Sequence, residues 1–319
     1  YQEGAEMLVE TARLWRDLGF FSREKDGKFC IHAVTGPDEY TTVVNNNAYT
    51  NLMARENLRY AAETVEILKN TIPGRFRELA DKTGLDFSEV EEWKRAAEQM
   101  YIPYDEEDGI HPQDDDFLEL KVWDFENTPL DTYPLLLFYH PLVIYRHQVI
   151  KQADIVLAMF LLSKEFSLEQ KKRNFDYYDP LTTGDSSLSV GIQSIIASEI
   201  GYEEKAIEYA RYSVLMDLAD VGGNVKDGCH IASMGGTWMV LVYGFAGMRD
   251  YDGKLSFHPR LPHRLEGLRF NLTFRGQVIE IDITQKTVIY TLQKGDGLQI
   301  QHREKEIQLK PGVPVTEQN

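Results

Sequence analysis

The residues best equipped for chemistry sit together between positions 36 and 51. Gly36-Pro37-Asp38-Glu39-Tyr40 places two carboxyls and a phenol on a turn, and Asn45-Asn46-Asn47 sets amides at the mouth of a helix that starts near Ala48. Gly and Pro hold such side chains on a loop rather than on the solvated face of a helix. A loop-borne carboxyl that keeps its proton can give it to a departing oxygen, while amides and a tyrosine bind the hydroxyls of a polyol. Two readings fit these residues alone: that site, or a surface turn followed by an Asn helix cap.

The run from Thr35 to Asn51 resembles the signature of glycoside hydrolase family 65, the α-glucoside phosphorylases of maltose, kojibiose, nigerose and trehalose and their relatives. The resemblance implies that Glu39 is the general acid and that Asp38, Tyr40 and Asn46 are substrate contacts. An acid of this kind needs a raised pKa. Because the side chains of Asp38 and Glu39 diverge, packing would have to raise it. The Thr41-Thr42 pair that follows is slightly closer to kojibiose- and maltose-type members than to trehalose-type ones.

Further blocks extend the resemblance. Lys151-Gln152-Ala153-Asp154 leads into an apolar run, Ile155 to Phe160, where a lysine on an otherwise buried helix would ordinarily reach for solvent. The block is similar to one in the family that implies Lys151 as a phosphate ligand and Gln152 as a glucose contact. Asp185-Ser186-Ser187 precedes a helix over 188–199; such residues are ordinary N-caps, yet hydroxyls at a helix N-terminus also cradle anions. Many family members carry His where Gly184 stands. In Gly228-Cys229-His230-Ile231-Ala232-Ser233-Met234-Gly235-Gly236, a Gly-Gly pair opening a helix would expose backbone N–H groups beside His230. Together the resemblance implies Lys151, Ser186, Ser187, His230, Gly235 and Gly236 as the phosphate site, and inorganic phosphate as co-substrate with no other cofactor.

The whole chain sets the bounds. Its 319 residues carry a formal net charge of -17, which repels nucleic acid and anionic membranes and suits a neutral substrate. An anion site must therefore be a local exception. No run of 18 apolar residues stands in the sequence, and the first residues are a charged amphipathic pattern rather than a leader. Cys30 and Cys229 lack metal-ligand spacing and read as reduced thiols of a cytoplasmic protein, one disulfide being the alternative. No metal-binding motif occurs, and Asp114-Asp115-Asp116 reads as a solvated loop. Trp123 and Trp238 could stack on sugar or fill core.

The elements that must position these residues follow from periodicity. Met7, Leu8, Thr11, Leu14, Trp15 and Leu18 predict one face of a helix running from Tyr1, stopped by Gly19. A long helix from Ala48 buries Leu58, Ala61, Ala62, Val65 and Leu68, and another spans Ser88 to about Met100. Residues 101–135 are irregular and rich in Asp, Pro and aromatics, as functional loops are. Helical patterns resume over 142–164, 166–174, 188–199, 202–218 and 237–247. After Gly253 the period becomes 2, with Ile279, Ile281 and Ile283 alternating with charged residues, which predicts a small antiparallel β unit.

The fold class is thus mainly α with a β C-terminal domain. The resemblance implies part of an (α/α)6 barrel over 1–250 followed by a β domain over 251–319, with the first half of the barrel supplied by further polypeptide as a partner. Inner helices of such a half would expose an apolar and aromatic face. The implied reaction is inverting phosphorolysis of an α-linked disaccharide to β-glucose 1-phosphate. The alternatives are a trehalase-like hydrolase of the same family and an inactive fragment. Dimerisation, common among relatives, is left open by these residues.

Overall fold

A computed structural model describes residues 4–223 and 225–319. The helix expected from Tyr1 begins at Gly4 within that range; positions 1–3 lie outside it. Two compact units divide the chain between Thr183 and Gly184. The helices after 184 group with the strands, and the change from helix to strand falls near residue 250.

In the first unit, helix α1 (Gly4–Leu18) runs into β1 (Gly19–Phe21), which pairs antiparallel with β2 (Phe29–Ile31). The period of α1 is as expected, but its buried face is not. Ala5, Val9 and Ala12 are buried, whereas Met7, Leu14 and Leu18 are exposed. Small residues let the helix approach α2 (Ala48–Thr71) closely, and the larger ones are left outside. Helix α2 buries Leu58, Ala61, Ala62, Val65 and Leu68, the face its sequence predicts.

Helix α3 (Pro73–Thr83), which periodicity did not place, is separated from α2 by the single residue Ile72. Proline is at home at the first helical position, where its missing N–H has no intrahelical partner anyway. Helix α4 (Ser88–Glu98) adds Val90, Trp93 and Ala96 to a core shared with α1 and α2. Residues 99–140 are irregular apart from short 3-10 turns and a short strand, β3 (Lys121–Val122), which lies parallel to β4 (His147–Gln148). Trp123 is buried there, its indole N–H donating to the Thr128 hydroxyl at 2.8 Å, so it fills core.

The helix expected over 142–164 is broken into α5 (Pro141–Ile144), β4, a turn at 150–153 and α6 (Asp154–Leu161). Two competitors capture its backbone. The Ile150 N–H bonds the Leu181 carbonyl at 2.9 Å, and a buried carboxylate takes the next two N–H groups. Lys151 therefore stands on a turn before a helix rather than on one. Helix α7 (Leu168–Tyr178) closes the unit with a capping box at Ser167 and Gln170.

The second unit opens with α8 (Ser189–Glu199) and α9 (Glu203–Leu215). Helix α10 (Ile231–Met239) continues into a π-helical turn, Val240–Phe245. Strands β5 (Met248–Arg249), β6 (Ser256–Phe257), β7 (Gly267–Phe274), β8 (Gln277–Thr284), β9 (Thr287–Lys294), β10 (Leu298–His302), β11 (Lys305–Leu309) and β12 (Val315–Gln318) follow. They form two four-stranded sheets, ordered β11-β10-β6-β5 and β12-β9-β8-β7. Ile279, Ile281 and Ile283 point into their common core with Ile300, Ile307 and Leu309, and the polar partners face out.

Large apolar side chains stay exposed in both units. Leu130 and Leu137 are 90% and 75% exposed in the first, Leu218 and Ile231 82% and 71% in the second. Cys30 is buried and Cys229 exposed, both as free thiols. Among the described residues no helix is long and apolar enough to cross a membrane.

Candidate active site

The acid loop is closed at its base by Val34 and Val44, which exchange backbone hydrogen bonds at 3.0 and 2.9 Å. Above that bridge the Thr35 and Thr42 hydroxyls meet at 2.8 Å. Val43 sits in the left-handed region at φ 55°, a conformation that β-branched residues rarely adopt. Gly36 is required by space: a Cβ there would run into the Asp154 carboxylate and stand 2.7 Å from Asn47 Nδ2. The chain can pass between those two buried groups only without a side chain.

From this base the loop sends its two carboxyls in opposite directions. Asp38 is wholly buried, while the Glu39 side chain is 52% exposed. The Asp38 carboxylate accepts from the backbone N–H groups of Tyr40, Lys151 and Gln152 at 3.2, 2.9 and 3.3 Å, and from Gln113 Nε2 at 3.0 Å. Burial pushes its pKa up to about 6, against the pull of those donors. Asp154, the first residue of α6, accepts the Asp38 N–H and the Asn47 Nδ2–H, each at 2.8 Å. Its pKa is driven well above the usual carboxylate range, first by burial and then by the charge of Asp38.

Glu39 meets the side chains of the Lys151-Gln152 turn. The Lys151 ammonium donates to Glu39 Oε2, and Gln152 Nε2 lies 3.4 Å from Oε1. Lys151, only 19% exposed in its side chain, is sunk beside an acid that is open to solvent. Packing was expected to raise the pKa of Glu39. Instead its hydrogen bond to Lys151 is the largest influence and holds it below the ordinary glutamate value, with burial opposing. A cation in contact favours the charged form, and half exposure leaves too little desolvation to overcome it.

The remaining loop residues turn inward. Tyr40 is buried, its hydroxyl accepting the Leu135 N–H at 2.7 Å. Asn46 is buried as well; its Oδ1 accepts the Ile31 N–H at 3.2 Å and its Nδ2 donates to Asp115 at 2.7 Å. Asn47 caps α2, accepting from the Thr50 N–H at 2.9 Å. Asp38, Tyr40 and Asn46, expected against substrate, present no open polar atom in this chain; they hold the loop that carries Glu39. Asp115 also pairs with Lys25 at 3.0 Å, so the Asp114–Asp116 run is internally engaged rather than merely solvated.

The anion-binding candidates of the second unit are placed as follows. Ser186 is buried, its hydroxyl accepting the Leu188 N–H at 3.2 Å in a local turn. Ser187 beside it is half-buried. His230 stands at the N-cap of α10, where its N–H and Nδ1 meet the two oxygens of Asp217 at 2.9 and 2.6 Å. Gly235 and Gly236 do not open this helix; it begins at Ile231. Their N–H groups fall in its second turn and bond back along it; the first-turn donors left are those of Ala232 and Ser233, since the Ile231 N–H bonds the Cys229 carbonyl at 3.0 Å. Gly236 does let α8 approach, since a Cβ on Gly191 would lie 3.4 Å from it. Trp238 is 45% exposed, edge-on to Tyr243 at 5.9 Å between centroids.

Residues to which the sequence alone gave no role are Gln113, Asp154 and Asp217. Asp154 carried a signal, an acidic residue at the start of an apolar periodic run, as at helix N-termini. Gln113 and Asp217 carried none, since each acts across more than ten residues of chain. Among the described residues no group of three His, Cys, Asp or Glu is arranged to hold a metal ion.

The chain belongs to glycosyl hydrolase family 65, whose central catalytic domain model matches residues 1–239 and whose C-terminal domain model matches residues 248–309. It is 47% identical over 312 residues to an α,α-trehalose phosphorylase of Thermoanaerobacter brockii, covering 98% of this chain and 40% of that protein. A protein of the same name from Geobacillus stearothermophilus is 48% identical over the same shares of each chain. Among solved structures, a putative kojibiose phosphorylase from the human microbiome superposes with a TM-score of 0.87 at 31% identity, over 98% of this chain and 43% of that one. The chain thus spans about 40% of the length of the curated relatives it matches.

Proposed function

We propose that this chain carries the acid site of an enzyme that cleaves an α-linked glucose disaccharide with inorganic phosphate and inverts the anomeric centre. The observation that carries the reading is Glu39, an exposed carboxyl on a loop fixed by buried hydrogen bonds, with Lys151 and Gln152 at its side. Protonated Glu39 gives its proton to the glycosidic oxygen as the bond from that oxygen to the anomeric carbon breaks. A phosphate oxygen attacks the same carbon from the opposite face, and the products are β-glucose 1-phosphate and the free acceptor sugar. Phosphate takes the place of the base-activated water of an inverting hydrolase, so one catalytic carboxyl suffices.

We infer a role for Lys151 beside the acid rather than its expected one at the phosphate, from its contact with Glu39. Acid and nucleophile lie on opposite faces of the sugar in an inverting displacement. An ammonium in contact with the acid is on the acid's face, where it can exchange Glu39 for a sugar hydroxyl when substrate enters. Within the second unit, Ser186, Ser187, His230 and the N–H groups of Ala232 and Ser233 remain the proposed phosphate ligands, with Asp217 orienting His230. Gln152 keeps its glucose role.

We propose α,α-trehalose as the first substrate to try. Identity to the two trehalose phosphorylases is 47% and 48%, against 31% to the putative kojibiose phosphorylase structure. The Thr41-Thr42 pair that leaned towards kojibiose and maltose has a local task, since Thr42 ties the loop to Thr35. The test incubates the full-length protein with trehalose, maltose, kojibiose and nigerose, with and without phosphate. Phosphate-dependent release of β-glucose 1-phosphate supports the reading. Glucose release that ignores phosphate establishes the hydrolase instead.

A further inference from the structure

We propose that Asp38 is a positioning residue: its buried carboxylate, backed by Asp154, locks the acid loop to the Lys151-Gln152 turn and so fixes where Glu39 stands. The proposal deepens the reading of Glu39 as the acid and rests on it.

The geometry is that of a hub. One oxygen of Asp38 receives the N–H groups of Tyr40, Lys151 and Gln152, so a single atom ties together backbone from segments 113 residues apart. Two of those donors belong to the residues whose side chains touch Glu39, and the third follows Glu39 directly in the chain. The other oxygen takes Gln113 Nε2. Asp154 completes the lock by holding the Asp38 N–H, and its second oxygen holds Asn47, the cap of α2. Acid loop, turn and helix start are therefore fixed to one another through two carboxyls, and neither makes an ion pair among the described residues.

The donors also divide the charge between the pair. Asp38 accepts four N–H bonds and Asp154 two, so the negative charge settles on Asp38 and the proton on Asp154. Burial raises both pKa values, and the charge of Asp38 adds to the rise at Asp154. With 0% of its surface exposed, Asp38 offers no oxygen to a sugar. A substrate contact would need such an oxygen; a support does not.

Gln113 supplies the discriminating variant. Its Oε1 is buried without a partner while its Nε2 serves Asp38. In Asp38→Asn the three backbone donors keep their acceptor, and Gln113 can rotate its amide to offer Oε1 to the new NH2. The hub survives without its charge, whereas Asp38→Ala removes it.

The experiment compares Asp38→Ala, Asp38→Asn and Glu39→Gln in the full-length protein, on a disaccharide and on α-glucosyl fluoride, whose leaving group needs little acid help. A misplaced acid loses most of its contribution of about 10²–10⁴-fold. Asp38→Ala should therefore lower kcat on the disaccharide about 100-fold or more, with KM within about threefold, and cost the fluoride less than about tenfold. Asp38→Asn should recover at least about a tenth of the wild-type rate. A rise in KM alone, equal losses on both substrates, or an Asn variant no better than Ala overturns the proposal. Should Asp38→Ala not fold, Asp38→Asn decides alone: a loss greater than about tenfold that is equal on both substrates overturns the proposal, and retained rate or a loss confined to the disaccharide upholds it. If Glu39→Gln keeps its turnover, the acid reading itself falls. A crystal structure of Asp38→Asn or Asp38→Ala then decides the positioning: Glu39 and Lys151 parted in the Ala variant and joined in the Asn variant upholds it, and an unchanged contact in both overturns it.

Discussion

Replacing Gly36 by alanine should cost both stability and rate, and the reason is a single methyl group. The added Cβ would collide with a carboxylate oxygen of Asp154 and lie 2.7 and 2.8 Å from the two amide atoms of Asn47. Neither neighbour can step back freely. Asn47 Oδ1 holds the Thr50 N–H at 2.9 Å and the Thr50 hydroxyl at 2.8 Å; its Nδ2 holds the Gln113 carbonyl at 3.2 Å and Asp154 at 2.8 Å. Asp154 in turn holds the backbone of Asp38.

Forcing extra volume into a packed site costs about 1–3 kcal/mol, and each buried hydrogen bond left unmade adds about 1–3 kcal/mol. With one such bond lost and partial relaxation, about 2–4 kcal/mol is the expected penalty. At about 2–4 °C per kcal/mol for a unit of this size, the melting temperature should fall by roughly 5–15 °C. The assay is thermal melting by circular dichroism, paired with phosphate-dependent disaccharide cleavage well below the melt. kcat should drop while the protein is still folded, because the displaced Asp154 carries the acid loop with it. An alanine variant that melts within about 2 °C of wild type and turns over normally would refute the tight-passage argument.

Glu39→Gln should abolish cleavage of unactivated disaccharides, a loss of at least about 10²–10⁴-fold, while sparing substrates with good leaving groups; near wild-type disaccharide turnover would remove Glu39 from the acid role. Lys151→Met withdraws the cation that holds Glu39 low, so its pKa should rise and the alkaline limb of kcat/KM should move to higher pH; an unmoved limb would mean that Lys151 does not act on the acid. Gly235→Ala meets no atom within 4 Å and lies inside a helix, so it should stabilise by about 0.5–1 kcal/mol. If backbone at Gly235 nonetheless approaches phosphate, the KM for phosphate rises in that stabilised protein, and an unchanged KM takes Gly235 out of the site.

What the sequence disclosed and what it hid divide along local and non-local causes. The buried face of α2, the strand alternation of Ile279, Ile281 and Ile283, and the Asn cap before Ala48 depend on near neighbours and were readable. The break at 150–153 was not, because the captors of its N–H groups are Asp38 and Leu181, 113 and 31 residues away. Helix α1 shows a milder form of the same limit. Periodicity identifies it, but only a partner surface decides that Ala5, Val9 and Ala12 go inside while Met7 and Leu14 do not. At the site, the types on the loop pointed to Glu39 and its neighbours. Their division of labour needed geometry, since adjacent Asp38 and Glu39 look alike on paper and differ in exposure from 0% to about half.

That division answers how one loop can use two adjacent acids. Burial would favour the neutral form of either carboxyl, yet the buried Asp38 is given four donors and the exposed Glu39 a lysine. Asp38 can therefore stay charged without water. The Lys151 ammonium holds Glu39 towards its ionised form, so a Glu39 acting as the acid would have to gain its proton when substrate displaces the ammonium. If Glu39 is the acid, the lysine matters twice: it keeps the empty acid loop ordered, and its departure to a sugar hydroxyl restores the carboxyl's affinity for a proton. On this argument the acid is armed by substrate binding rather than held ready. The pH dependence of kcat, set in the complex, should thus show a higher acid-group pKa than that of kcat/KM, set in the free enzyme. Coincident limbs in the two profiles would place the Lys151–Glu39 contact outside the catalytic cycle.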